Sequence, residues 1–137
     1  MLGKQPIFTI FAELEGITGL GRTPYGERRV IGILGGSVRG PKLNGRILPG
    51  GADWQIIIET DDGARIMVTS EGLRHGPPEV MERLARGDNV DPAHYYFRTV
   101  MRFETSDPKV DWLNRILALA RGQREARAVR LDVYEVE

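Results

Sequence analysis

The chain has 137 residues, and its 19 lysines and arginines are matched by 19 aspartates and glutamates. That length suits one domain with a sizeable core, and zero formal net charge leaves no electrostatic footprint for nucleic acid or an anionic membrane. There is no cysteine and there are two histidines, which argues against disulfides, thiolate chemistry and a zinc site.

Pro6 to Glu15 (PIFTIFAELE) is apolar on both faces and rich in β-formers, so a strand is expected there. Gly16 to Tyr25 is punctuated by turn residues and is expected to be a loop. Glu27 to Leu34 begins a second strand, on which Arg28 and Arg29 point to opposite faces. The stretch Gly35 to Trp54 carries six glycines and two prolines, too many for a helix. Apolar residues recur between them at Val38, Leu43, Ile47 and Leu48. Two short strands joined by a turn at Gly40–Gly45 follow from that pattern, then a corner at Pro49-Gly50-Gly51. The corner delivers Asp53 and Trp54.

Ile56–Thr60 and Ala64–Ser70 flank Asp61-Asp62-Gly63, a strong hairpin signal. Gly72 to Pro78, with Arg74 and His75, is expected to be a loop. Glu79–Ala85 is the one segment expected to be helical, with Pro78 at its start and Gly87 just beyond its end. Asp88 to Ala93 turns the chain. His94–Thr105 alternates cleanly, with Tyr95, Phe97, Thr99, Met101 and Phe103 on one face. Tyr96, Arg98, Val100, Arg102 and Glu104 lie on the other. Asp111–Asn114 makes one helical turn. Arg115–Arg121 and Arg127–Val136 make a closing hairpin around Gly122–Glu125.

The sum is about eight strands and one helix. An all-β, antiparallel meander closing into a single barrel over residues 1–137 is the expected fold, able to enclose one small ligand. No secretory leader and no apolar run of membrane-spanning length is visible, so a cytoplasmic protein without membrane or nucleic-acid partners is expected. No Walker loop, nucleophile elbow or dinucleotide fingerprint appears, and no cofactor is implied.

The residues resemble a known family. The run Gly21-Arg22-Thr23-Pro24-Tyr25-Gly26-Glu27-Arg28-Arg29, the pairs Gly35-Gly36 and Gly40-Pro41, and Pro49-Gly50-Gly51-Ala52-Asp53-Trp54 carry the likeness. Thr60-Asp61-Asp62-Gly63-Ala64, Tyr95-Tyr96-Phe97-Arg98, Phe103-Glu104-Thr105 and Trp112-Leu113-Asn114 continue it in order. Together they are similar to the domain of unknown function 3237 family. The resemblance implies a small β-barrel like that of allene oxide cyclase, with no assigned activity. Members of that family carry an additional stretch between the Asp-Trp-Gln and Thr-Asp-Asp-Gly motifs. Here Ile56 to Glu59 alone separates Gln55 from Thr60. One hairpin arm is therefore shortened or absent, which leaves the strand count open.

Candidate site residues follow from type and position. Asp53 after the glycine corner is either a turn cap or a carboxylate at a cavity mouth, where burial would raise its pKa into the range of a general base. Trp54 is either core or a platform for a ligand. Tyr96 and Arg98 sit about 7 Å apart on one face, while Glu104 lies about 20 Å beyond Arg98. Either that face or the face of Tyr95 and Phe97 lines the barrel. Tyr25, Arg29 and Arg74 add polar groups near the strand ends and suit an anionic or carbonyl-bearing ligand. The expectation is a barrel binding a small oxygenated organic molecule. Asp53, Tyr96 and Arg98 would do proton-transfer chemistry as an isomerase, cyclase or lyase. A carrier or sensor, or a structural and interaction domain, is the alternative. The two-sided apolar pattern of Pro6–Glu15 points to a homodimer.

Overall fold

The computed structural model describes the chain apart from Tyr25, Asp53 and Trp54, and apart from the side chains of residues 16–20, 22, 23 and 26–30. Eight antiparallel strands close into a barrel in sequence order: β1 (Phe8–Thr23), β2 (Gly26–Arg39), β3 (Asn44–Ile47), β4 (Gln55–Thr60), β5 (Arg65–His75), β6 (Tyr96–Glu104), β7 (Ala118–Arg124) and β8 (Ala128–Glu135). One helix, α1 (Pro78–Ala85), links β5 to β6. Single 3-10 turns lie at Pro92–His94 and Asp111–Arg115. The expected all-β barrel with one helix is the fold that forms. Among the described residues no helix is long and apolar enough to cross a membrane.

Two segments expected to be loops are strand. β1 runs on to Thr23 through the glycines of the 16–21 stretch. Its register with β2 slips at Glu13/Leu14, Leu14/Ile17 and Gly19/Gly21, so bulges absorb the residues that the alternation pattern could not place. Gly21 takes a positive φ of 75° at the last of these slips. Likewise β5 continues through Gly72 to His75, because Tyr96 to Thr99 on β6 pair with it residue by residue. A tertiary partner overrides weak local propensity in both places. β7 also extends past Gly122 to Arg124, moving the last turn to the 125–127 segment.

The Asp61-Asp62-Gly63 hairpin forms, with β4 and β5 paired from Gln55↔Thr69 to Glu59↔Arg65. Thr60 Oγ1 donates to Asp62 Oδ1 at 2.7 Å and accepts from the Ala64 N–H at 2.9 Å. The Asn114 side chain clamps Thr105 in both directions, accepting from its N–H and donating to its carbonyl, each at 2.8 Å. Several motif residues thus build turns.

Among the described residues, side chains of regular strand alternate between the inside and the outside of the barrel. Phe8, Val38, Ile58, Ile66, Phe103 and Val133 fill one end of the barrel, with Leu113 closing it. Phe8 and Phe103 meet edge to face at 5.8 Å. The other end carries a smaller cluster, where Leu84 of α1 packs on Val90 and Tyr95 with Phe97 at its margin. Tyr95 Oη accepts a hydrogen bond from the Arg124 N–H at 2.9 Å, tying this cluster to the end of β7.

Candidate functional site

The barrel is solid at the end closed by Leu113 and hollow toward the end carrying α1. A cavity of about 500 Å³ occupies the hollow half. Ile10, Leu14, Ile33, Ile56, Met101 and Leu131 form its apolar wall, and Ser70, Arg74, Thr99 and Arg124 are among its other lining residues. That volume and composition fall in the usual range for small-molecule pockets.

The short strands explain where the cavity opens. β3 has four residues and β4 six, against sixteen and fourteen in β1 and β2. β4 pairs with β5 no further than Thr69, and β3 pairs with β2 no nearer its start than Gly36. Among the described residues, β5 from Ser70 to His75 therefore has a ladder partner on its β6 side alone. The chain after β3 reaches β2 at one point, where Ile33 exchanges backbone hydrogen bonds with Gly50 and Gly51 at 3.1 and 3.0 Å. The wall is low along β3 and β4, and Gln55, Gly72, Leu73 and Arg74 line the resulting mouth.

The strand that carries most of the sequence candidates is β6, and its inner face is the one bearing Tyr95, Phe97, Thr99, Met101 and Phe103. Tyr96 and Arg98 are outside. This corrects their expected place in the lumen. The physical reason is that the five-residue face is the more apolar of the two, and closure buries it against Leu113 at one end and α1 at the other. On the outer wall, the Tyr96 ring stacks on His75 at 5.1 Å, and the Arg98 guanidinium lies 5.1 Å from the Tyr96 ring centre. Arg98 also donates to the Phe97 carbonyl at 2.9 Å. Tyr96 and Arg98 share a shallow outer depression of about 430 Å³ with Leu2, Leu119, Arg121 and Tyr134.

Glu104 is exposed at the opposite end of β6, paired in register with Met67, and shares no pocket with Tyr96. Arg74 is the sequence candidate that lies at the lumen, with its guanidinium 6.0 Å from the Phe97 ring centre. Arg29 sits on β2 opposite Gly19, and its side chain lies outside the described residues. Tyr25, Asp53 and Trp54 also lie outside them. Asp53 precedes Gln55, a residue of the mouth, by two positions.

Three contributors were not singled out from sequence. Thr99 keeps 8% exposure, and among the described residues its Oγ1 has no hydrogen-bond partner. A small polar residue on a strand face otherwise made of aromatic residues and methionine was the available signal. Ser70 lies on the same inner side of the neighbouring strand. Gly122 is the third. A Cβ there would meet the Phe97 ring at 2.6 Å, so glycine lets that ring lie against the wall and keeps the lumen open.

Elsewhere the charges are ordinary surface pairs. Arg46 and Arg65, from β3 and β5, hold Glu59 between them at 2.9 and 3.2 Å and keep its carboxyl below the usual range. Thr60 and then Lys109 do the same for Asp62 by hydrogen bonding.

Comparison with known proteins places this architecture. The UPF0311 protein RPA1785 of Rhodopseudomonas palustris is 43% identical over 148 aligned positions, covering 98% of this chain and 97% of that one. An alignment longer than the 137 residues here opens gaps in this chain, in keeping with a shortened arm. The crystal structure of RPA1785 superimposes with a TM-score of 0.91 at 40% identity, covering 100% of this chain and 98% of that one. A β-barrel-like protein from Acinetobacter baumannii AYE gives 0.83 at 39% identity, covering 100% and 96%. An enzyme from Penicillium herquei shares the barrel alone, with a TM-score of 0.66 at 19% identity over 99% and 95% of the two chains. A family model matches residues 3–136, and this chain belongs to that family, described as Protein of unknown function (DUF3237).

Proposed function

We propose that this barrel binds a small oxygenated organic molecule in its lumen. The observation that carries the reading is the cavity of about 500 Å³, walled mainly by apolar side chains, with Ser70 and Arg74 among its lining residues. A core built for stability alone would be close-packed, with few voids larger than a water molecule. The chemistry of the described lining is binding and orientation, through hydroxyls and arginines. A proton-transfer step, as in an isomerase, cyclase or lyase without cofactor, would draw its base from Asp53, two positions before Gln55 in the sequence. Tyr96 and Arg98 have no part in it, since they face outward.

Native mass spectrometry of the freshly purified protein tests the reading. The expected result is an organic adduct that the lumen-filling Val129→Trp variant fails to carry. An adduct retained in that variant would place the ligand elsewhere. Asp53→Asn separates enzyme from carrier. An enzyme would hold unreacted ligand in the variant and release an isomer from the parent, whereas a carrier would hold the same molecule in both.

A second reading concerns the outer wall. Leu73, Val100 and Leu117 are exposed on β5, β6 and the approach to β7, with Leu2 and Val136 beside them. A homodimer covering this wall is expected from that concentration of apolar surface. The outward residues of β1 contribute less than the sequence pattern suggested, since Thr9 and Glu13 flank a half-buried Phe11. Light scattering of Val100→Lys against the parent tests it. Equal masses for both proteins would remove the second reading.

A further inference from the structure

We infer that the open edge of β5, from Ser70 to His75, pairs antiparallel with the same edge of a second copy of this chain, about a two-fold axis at Leu73. This junction is a different surface from the outer-wall contact proposed above, and it depends neither on that contact nor on a lumenal ligand.

The edge is open because the wall is low beside it. Along Ser70 to His75 the ladder with β6 runs without a register slip, whereas the ladder with β4 ends at Gln55↔Thr69. The chain between β3 and β4 serves β2 instead. Gly50 and Gly51 exchange backbone hydrogen bonds with Ile33, Ala52 bridges Gly32, and Ala52 and Gln55 bond each other twice at 3.0 Å. Among the described residues, the backbone groups of Ser70–His75 that point away from β6 therefore have no ladder partner. Glu71 to His75 are all exposed, including Gly72 and Arg74 on the lumenal side. Monomeric proteins blunt such edges with proline, bulges or like charge. This edge has no proline and no bulge, and its two charges, Glu71 and Arg74, are of opposite sign.

The occupant follows from the register. A two-fold axis through an antiparallel junction keeps every side chain on its own face, so a residue meets either itself or one an even number of positions away. Centring the axis on Glu71 or on Arg74 sets like charges directly opposite, which is unfavourable. Centring it on Gly72 sets the Glu71 carboxylate opposite leucine. Centring it on Leu73 joins two leucines, each 67% exposed in the single chain. Each Glu71 then faces the partner's His75, so a hydrogen-bonding pair flanks the leucines on either side. The edge is thus complementary to itself in one register. On the inner face Arg74 stands opposite the partner's Gly72, which brings a guanidinium of each copy to the mouth of the other. A junction of one short strand is small beside a standard interface, so a weak, concentration-dependent dimer is expected.

The chain has no cysteine, so one introduced thiol reports on the axis. Directly opposed residues of an antiparallel pair have Cα atoms about 4.5–5.5 Å apart, within disulfide range. At a concentration where the parent is dimeric by sedimentation, Leu73→Cys should form a disulfide with its own copy about tenfold or more faster than Ile57→Cys on β4. Both sites are exposed, so the second measures chance collision. Glu71→Lys should weaken the dimer by about tenfold, and adding His75→Glu should restore it. A parent protein that stays monomeric up to about 1 mM would overturn the proposal. So would equal cross-linking of Leu73→Cys and Ile57→Cys, or a Glu71→Lys variant that His75→Glu does not rescue. A dimer that persists with those results and dissociates in Val100→Lys would be the outer-wall dimer, with the β5 edge left unpaired.

Discussion

The two halves of this barrel are made from the same strands yet solve different problems. On β8, Val133 is fully buried in the solid half, and Val129, four residues earlier on the same inner face, lines the cavity. The solid half is closed by Leu113 and by the Phe8–Phe103 contact. The hollow half has a low wall at β3 and β4 and a helix with a single buried residue, Leu84, set beside it. The difference shows that strand count and inward alternation do not by themselves fill a barrel. What fills it is the size of the inward side chains and the length of each staff in the wall.

The same substitution in both halves gives the largest expected contrast. Val133→Ala should cost about 2–3 kcal/mol, because it leaves a void in close-packed surroundings. Val129→Ala should cost under about 1 kcal/mol, because one side of that residue already faces open space. Urea unfolding of the two variants reads this directly, and equal losses would show that the hollow half is packed in solution.

Gly122→Ala comes next. The new methyl would press on the Phe97 ring from 2.6 Å and drive it into the lumen. A loss of about 1–3 kcal/mol is expected, together with loss of ligand capacity, read by thermal unfolding and by native mass spectrometry of the bound adduct. Retained binding would mean that the ring finds room elsewhere.

Thr99→Val is expected to move the other way. Removing a buried hydroxyl that has no partner among the described residues should stabilise the protein by about 1 kcal/mol. A destabilised variant would indicate that the hydroxyl is hydrogen-bonded in solution.

The smallest effect belongs to the polar outer wall. Arg46 and then Arg65 lower the pKa of Glu59 from its ordinary 4.5. A carboxylate with a depressed folded pKa favours the native state above the unfolded value, and that contribution fades as pH falls through the folded value. Glu59→Gln should therefore lose slightly in stability near neutral pH and match the parent in acid. The pair is exposed, so added salt should shrink the difference. A difference that grows in acid would contradict the assignment.

Much of the fold was legible because its signals were local. Asp61-Asp62-Gly63 sits between two β-rich runs, and Pro78, Glu79, Arg83 and Gly87 bracket α1 with conventional helix-end chemistry. The short spacing between Gln55 and Thr60 was also visible in the sequence, and β4 is six residues long beside the cavity. The candidate site was less legible. Arg74 was identified and lies at the lumen, whereas Tyr96 and Arg98 turned out to form an outer stack with His75. Both faces of β6 carry aromatic residues, so alternation alone could not rank them.

The sequence by itself determined the antiparallel meander, the Asp61-Asp62-Gly63 hairpin, the one helix and the strict two-residue alternation of β6, since each depends on neighbours close along the chain. The tertiary structure decided which face of β6 became the interior, because only closure against Leu113 and α1 gives one face an apolar environment. It also decided that the glycine-rich segments of β1 and β5 would be extended, because partner strands supplied the hydrogen bonds that local propensity did not. Thr99 acquired its place in the same way: a threonine in a strand is unremarked until the wall around it closes and buries its hydroxyl, for which there is no partner among the described residues.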